Sequence, residues 1–300
     1  MKRRMRRLRR GIKSYKLELM IIGLVFGVMF ICMMHHSNSL IALMNYFINE
    51  DAHSILSAEA KTFNVHPIIF IVFRSFYYGN PFDNIIIWST NLFQLLLPFL
   101  AGLAAFSFYE SHVNINKFIY YRKRNYRFEI LKKINLSASK IAFAIYIAYL
   151  LFYFICVIFG KKPTWSDYPT NLLPRSLLLD ILGNNFYIDS SILYWLLEGT
   201  IRFFFVPYVY GVFSCFISVC FGSAKKGYYG TCIYYISLCA IASVLSLFKD
   251  PYQLSMYINP SVIMASGTYE LKTIPLLICS GLPLYLSTIL LCINKKVIYD

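Results

Sequence analysis

Long apolar runs alternate with shorter polar stretches along the whole chain. A bilayer core of about 30 Å takes roughly 20 apolar residues to cross as a helix. Six runs meet that length: about Leu17–Met34, Ile85–Tyr109, Lys140–Gly160, Ile192–Phe221, Tyr228–Phe248 and Ile274–Ile293. The fourth is long for one crossing, which predicts tilt, a kink or a part outside the membrane. Pro207 lies within it and removes a backbone donor, so a bend is expected there. Pro98, Pro275 and Pro283 do the same in the second and sixth runs. Between the first two runs, PIIFIVFRSFYYG (Pro67 to Gly79) is apolar but interrupted by Arg74. It is too short to span and predicts a re-entrant or interfacial piece capping one mouth of the bundle. The expected fold is an all-α polytopic membrane protein with six transmembrane helices. It forms a single domain over 1–300, without internal repeats or a sizeable soluble part.

Composition sharpens this picture. The chain is 58% hydrophobic and 14% charged, with a mean hydropathy of +0.56. A soluble domain averages about 25% charged residues, so a soluble protein of this length could not bury its Leu, Ile and Phe. The net charge of +15 would otherwise suggest a nucleic-acid partner. The basic residues cluster at the ends of the apolar runs, however, and no nucleic acid is expected. All eight cysteines fall in apolar runs, with no CxxC and no zinc spacing. They read as small hydrophobes. The bias to Ile, Phe, Tyr, Lys and Asn suits an AT-rich, low-GC bacterium.

Charge also orients the chain. Lys and Arg concentrate in the tail up to Lys16, between Glu110 and Lys140, at Lys225 and Lys226, and at Lys295 and Lys296. The alternate loops hold few of them and most of the acids, including Glu50, Asp51, Glu59, Asp83, Asp167 and Asp180. By the positive-inside rule both termini and the 110–140 segment are cytoplasmic, in a multi-pass protein of a bacterial cell membrane. The first sixteen residues form a basic surface segment on membrane lipid. Met5, Leu8, Ile12 and Tyr15 recur at helical spacing. The tail is therefore either an interfacial amphipathic helix or a purely electrostatic orienting segment.

Catalytic signatures are missing: the sequence has no GxxxxGK[ST], no HExxH and no GxSxG. Charges at membrane depth are the default place to look for function. Glu198 and Arg202 stand four residues apart in the fourth run, on one helical face and in the favourable order. They either neutralise each other structurally or, with Pro207, line a translocation path or gate. Gly23 and Gly27 form a GxxxG that permits close helix approach, within the chain or between two copies.

The basic stretch YYRKRNYRFEILKK (Tyr120 to Lys133) interleaves cations with aromatic and aliphatic residues. Ile115, Phe118 and Ile119 share one helical face, and Ile130, Leu131 and Ile134 another, which predicts two short cytoplasmic surface helices. Ser137 would then cap the third span. The order is a basic segment, a span, an outside loop, and a span ending FSFYES with Glu110. A basic segment NINKFIYYRKR follows, then re-entry through INLSASKIAFA, and later INPSV and the tail KKVIYD. This arrangement resembles the permease subunits of type 2 ATP-binding-cassette exporters. SHVN stands where that family usually has Gly and Thr after the Glu.

The resemblance implies an ATP-driven exporter of a peptide, toxin, drug or lipid-like substrate. This chain would carry no cofactor and no catalytic or metal site. ATP and Mg would sit in cytoplasmic ATPase subunits, and a second permease, identical or related, would complete the path. The segment carrying Glu110, Lys117, Phe118, Tyr120, Tyr121, Arg122, Lys123, Arg124 and Tyr126 would be the coupling helix that docks on the ATPase. Its cations would steer docking and its tyrosines would anchor it. The alternatives are an intramembrane protease or acyltransferase, or a membrane immunity protein that transports nothing.

Overall fold

A computed structural model describes residues 15–90, 92–113, 126–162, 182, 184–247, 255, 258–260 and 273–293. These residues are mostly helical and include no strand. Four helices are long and apolar enough to cross a membrane, or five if one bent pair counts as a single span. The sixth predicted span coincides with a helix, Thr273–Ile293, which is not among those four or five. Six crossings are therefore not reached among the described residues.

The first span is α1 (Lys16–His36). A two-residue turn, with Asn38 in the left-handed region, leads into a small cap of four helices. These are α2 (Ser39–Ile48), α3 (Glu50–Thr62), α4 (Pro67–Val72) and α5 (Arg74–Tyr77). The Asn49 side chain caps α3 by accepting from the Asp51 N–H at 3.0 Å. Pro67 opens α4, where a missing N–H costs nothing. Ala42, Leu56, Ala60, Phe70 and Ile71 give the cap its own core. The apolar piece Pro67 to Gly79, expected as re-entrant or interfacial, is thus part of a folded helical cap.

The predicted second span is broken. α6 (Phe82–Thr90) meets the apolar stretch Leu95–Tyr109 at 65°; that stretch comprises parts of α7 (Phe93–Gly102) and α8 (Ala104–Val113). Two sequence features act at the break. The Ser89 and Thr90 hydroxyls donate back to the carbonyls of Ile85 (2.6 Å) and Ile86 (2.8 Å), a pattern that bends helices. Pro98 lies inside α7, where a proline ring crowds the carbonyl four residues earlier.

The third span belongs to α9 (Tyr126–Phe159), one helix of 34 residues. This corrects two expectations. The second short surface helix is fused to the span, and Ser137 is buried in the helix interior instead of capping it. Ile130 and Ile134 point into the core, where the energy of burial outweighs the solvated amphipathic alternative.

After α10 (Asn184–Asp189), the fourth span runs through α11 (Ser191–Thr200), a π-helical turn at Ile201–Phe205, and α12 (Val206–Phe221). Gly222, with φ of 61°, closes it. α13 (Ala224–Leu247) and α14 (Thr273–Ile293) complete the bundle. The fourth span is the centre: α12 packs against α7, α8, α9, α13 and α14. Of its apolar window 72% is buried, against 28% for α1 and 22% for α13, so the latter two are peripheral.

Small residues permit these crossings. A Cβ at Gly227 would lie 2.6 Å from the Ser214 carbonyl oxygen, so α12 and α13 come into close backbone contact there. The Ser214 hydroxyl donates to the Gly102 carbonyl at 2.9 Å. Lipid tails are as apolar as Leu, so close packing and interhelical hydrogen bonds hold such a bundle together.

Candidate functional site

The fourth span carries an ion pair where the helix changes register. In the π turn the Val206 N–H donates to the Ile201 carbonyl, five residues back. Pro207 follows within the first turn of α12. It has no donor to continue the ladder, and a proline ring disfavours a regular bond to the carbonyl four residues earlier. The bend expected at Pro207 is thus a π-helical widening just before it. Such turns concentrate at functional sites.

Arg202 lies in this turn. Its Nε donates to Glu198 Oε1 at 2.7 Å, and a second guanidinium nitrogen is also 2.7 Å from Oε1. Both side chains are 2% exposed, so the pair is sealed from the surface. Both contacts fall on one carboxylate oxygen. Oε2 is buried with no hydrogen-bond partner. A buried pair is stable only when geometry and further hydrogen bonds offset desolvation, and here half of the carboxylate is unsatisfied.

Aromatic residues of α9 wrap this region. Tyr149 stacks on Phe203, with ring centroids 4.5 Å apart and 12° between planes. Phe93 meets Phe203 edge-on at 5.7 Å. The Tyr149 hydroxyl donates to the Trp195 carbonyl at 2.7 Å, and Tyr153 to that of Ile192 at 2.6 Å. The Tyr146 and Thr200 hydroxyls are 2.8 Å apart. The Tyr149 ring fits only because residue 199 is glycine. A Cβ there would lie 2.0 Å from Tyr149 Cε1 and 2.3 Å from Cζ.

A second polar cluster lies beyond the start of the fourth span. Asp83 is fully buried. One of its oxygens accepts from the Asn84 N–H at 2.9 Å, and the other accepts a very short hydrogen bond from Tyr187. Burial, and then the Asp83 carboxylate, push the Tyr187 phenol far above its ordinary range, so it stays protonated and donating. Asp83 counts in the sequence as one of several outside acids, and nothing there marks it as buried. Removing the donor leaves a buried carboxylate less satisfied. Tyr187→Phe is expected to destabilise the protein by about 1–3 kcal/mol, read as a lowered thermal midpoint in detergent. An unchanged midpoint would show the bond to be dispensable.

Of the residues picked out in the sequence, Arg202 lies in this turn, with Glu198 three residues before it and Pro207 two residues after it. Glu110 lies in α8, and Tyr126 opens α9. Lys117, Phe118, Tyr120, Tyr121, Arg122, Lys123 and Arg124 lie outside the described residues. The basic tail before Tyr15 does too. At Gly23 and Gly27 no other element of the described chain comes within 4 Å of where a Cβ would stand. The close approaches within the chain occur at other glycines. Among the described residues no group of His, Cys, Asp or Glu is arranged to hold a metal ion. Comparison with family models, curated proteins and solved structures finds no match to this chain.

Proposed function

We propose that the chain is the membrane-spanning permease subunit of an ATP-driven exporter in a bacterial cell membrane. A separate ATPase supplies the energy, and a second permease, identical or related, completes the path. The observation that carries this reading is the buried, half-satisfied Glu198–Arg202 pair at a π-helical turn in the most buried of the four long spanning helices. Intramembrane charges mark pathways and gates, and a helix that changes register beside a proline has a place to yield.

The long helix α9 gives this gate a lever. It begins at Tyr126, beside the basic segment, and its 34 residues make about 51 Å of continuous helix. Its residues Tyr146 and Tyr149 touch Thr200 and the surface at Gly199, next to the pair. α8, on the other side of the basic segment, also packs on α12. Displacement of the segment by a closing ATPase would therefore be delivered to the fourth span from both flanks. The Tyr149 ring, wedged at Gly199, would pass it to the turn that holds Arg202.

The test is purification of the tagged chain in mild detergent, with identification of co-eluting proteins and measurement of ATP hydrolysis. A stoichiometric ATPase is expected. Replacing Arg122, Lys123 and Arg124 with Glu is expected to abolish that co-elution, because reversed charge opposes docking. Assembly that survives the triple reversal would sink the docking role. A clean single chain without ATPase, while a control exporter stays intact, would sink the exporter reading.

A further inference from the structure

The helical cap holds an apolar cavity of about 310 Å³ against the end of the third span. Ile69 and Phe73 of the α4 region, Phe76 and Tyr77 of α5, and Phe159 at the end of α9 line it. Its size is at the low end of small-molecule sites, about 300–1,000 Å³. The walls are fixed by ring contacts. Phe76 meets Phe159 edge-on at 6.1 Å, and Phe73 lies 5.8 Å from Phe30 of α1. The cavity is therefore braced by two spans and is not confined to the cap.

Three features define what fits. Among the described lining residues the Tyr77 hydroxyl is the one polar side-chain group. Water needs two to four polar partners in such a space, and a polar ligand needs several convergent groups to orient it. The mouth is also apolar: Ile69 is 47% and Phe159 62% exposed. Finally, Phe143, Ile147, Leu151, Phe154 and Ile158 are all exposed on α9 at three- and four-residue spacing. They form one apolar stripe that runs up the span and ends beside Phe159. A stripe of this kind on a membrane-spanning helix faces lipid tails.

We propose that this cavity binds a single aliphatic chain of a lipid from the adjacent leaflet. The tails on the α9 stripe are already at its mouth, so entry requires no passage through water. Inside, the aromatic walls provide close dispersion contacts. Arg74, next to Phe73, does not line the cavity; one terminal nitrogen donates to the Tyr78 hydroxyl at 3.1 Å, Tyr78 donates to Glu59 at 3.1 Å, and the Arg74 Nε is buried without a partner. None of the described lining residues is charged, so the site selects the chain and not the headgroup. This inference depends on the apolar helices spanning a membrane and is independent of the exporter reading.

The test uses the full chain in phosphatidylcholine nanodiscs containing a small fraction of phosphatidylcholine with a diazirine at the end of one acyl chain. After photolysis, adducts are mapped by mass spectrometry. Adducts at Ile69, Phe73 and Phe76 are expected to exceed those at Leu151 and Phe154 several-fold. Phosphatidylglycerol carrying the same chain is expected to label equally. Phe76→Trp, which fills the cavity, is expected to lower labelling at Phe73 several-fold and leave Leu151 and Phe154 unchanged. Cavity labelling no higher than on the stripe in the parent protein would overturn the proposal, whether or not the variant folds. So would labelling that depends on the headgroup, or a cavity reached only by a water-soluble diazirine.

Discussion

Gly199→Ala is expected to destabilise the protein by about 3 kcal/mol or more, at or beyond the top of the usual range for overpacking. A single methyl does this because it has nowhere to go. Its carbon would lie 2.0 Å from Tyr149 Cε1, 2.3 Å from Cζ and 2.5 Å from the hydroxyl oxygen. A flexible chain end could swing aside, but Tyr149 cannot. Its ring is buried, its hydroxyl is bonded to the Trp195 carbonyl, and the ring is stacked on Phe203. Relief requires α9 to move away from the fourth span. The measurement is the thermal midpoint of the purified protein in detergent, together with the yield of folded material. Tyr149→Leu removes the clashing ring atoms, so on the Gly199→Ala background it is expected to restore part of the loss. That coupling between the two sites distinguishes a local clash from a general intolerance of helix change. A Gly199→Ala protein as stable as the parent would mean that the two helices do not approach as described.

Neither half of this contact is visible in the sequence. Gly199 reads as an ordinary glycine in an apolar run, and Tyr149 as one of many aromatics. Their meeting depends on which faces of two helices, 50 positions apart in the chain, are turned together. The apolar runs are legible because the length and hydropathy of a span are local properties set by the bilayer. The pair Glu198 and Arg202 is legible for the same reason, since four-residue spacing fixes a shared face. The π turn is legible only as a disturbance near Pro207. The sequence shows a missing donor but not how the backbone absorbs it.

Two boundaries escape the sequence for a related reason. Ile85–Tyr109 is continuous in hydropathy, and the break lies where Ser89 and Thr90 bond back on their own helix and Pro98 acts four residues upstream. Conversely, the polar residues around Ser137 suggest an interruption, but α9 runs straight through them. Burial of Ile130 and Ile134 against the bundle supports helix there that local propensity would leave open. Asp83 is hidden because a carboxylate near a span end looks the same whether it faces water or a tyrosine.

The largest functional consequence is expected at the ion pair. Glu198→Leu and Arg202→Leu, each alone, are expected to destabilise the protein by about 3–5 kcal/mol, because each leaves the other charge buried without its ion-pair partner. The double variant removes both charges and fills the space with hydrocarbon, so it is expected to be close to the parent in stability. The loss should therefore be strongly non-additive, measured as thermal midpoints of the four proteins. The double variant then separates structure from function. A pair that only neutralises itself leaves transport intact when both partners are replaced. A pair that opens and closes a path does not, because the apolar replacement offers no charge to separate and no carboxylate oxygen to satisfy. Glu198 Oε2 is the particular reason to expect the second result: it is buried without a partner in this conformation, and a conformation that gives it one would be favoured by that bond. In proteoliposomes containing the chain with its ATPase, the double variant is expected to hydrolyse ATP but lose most substrate movement. Stable protein with undiminished transport would reduce Glu198 and Arg202 to a packing element of the fourth span.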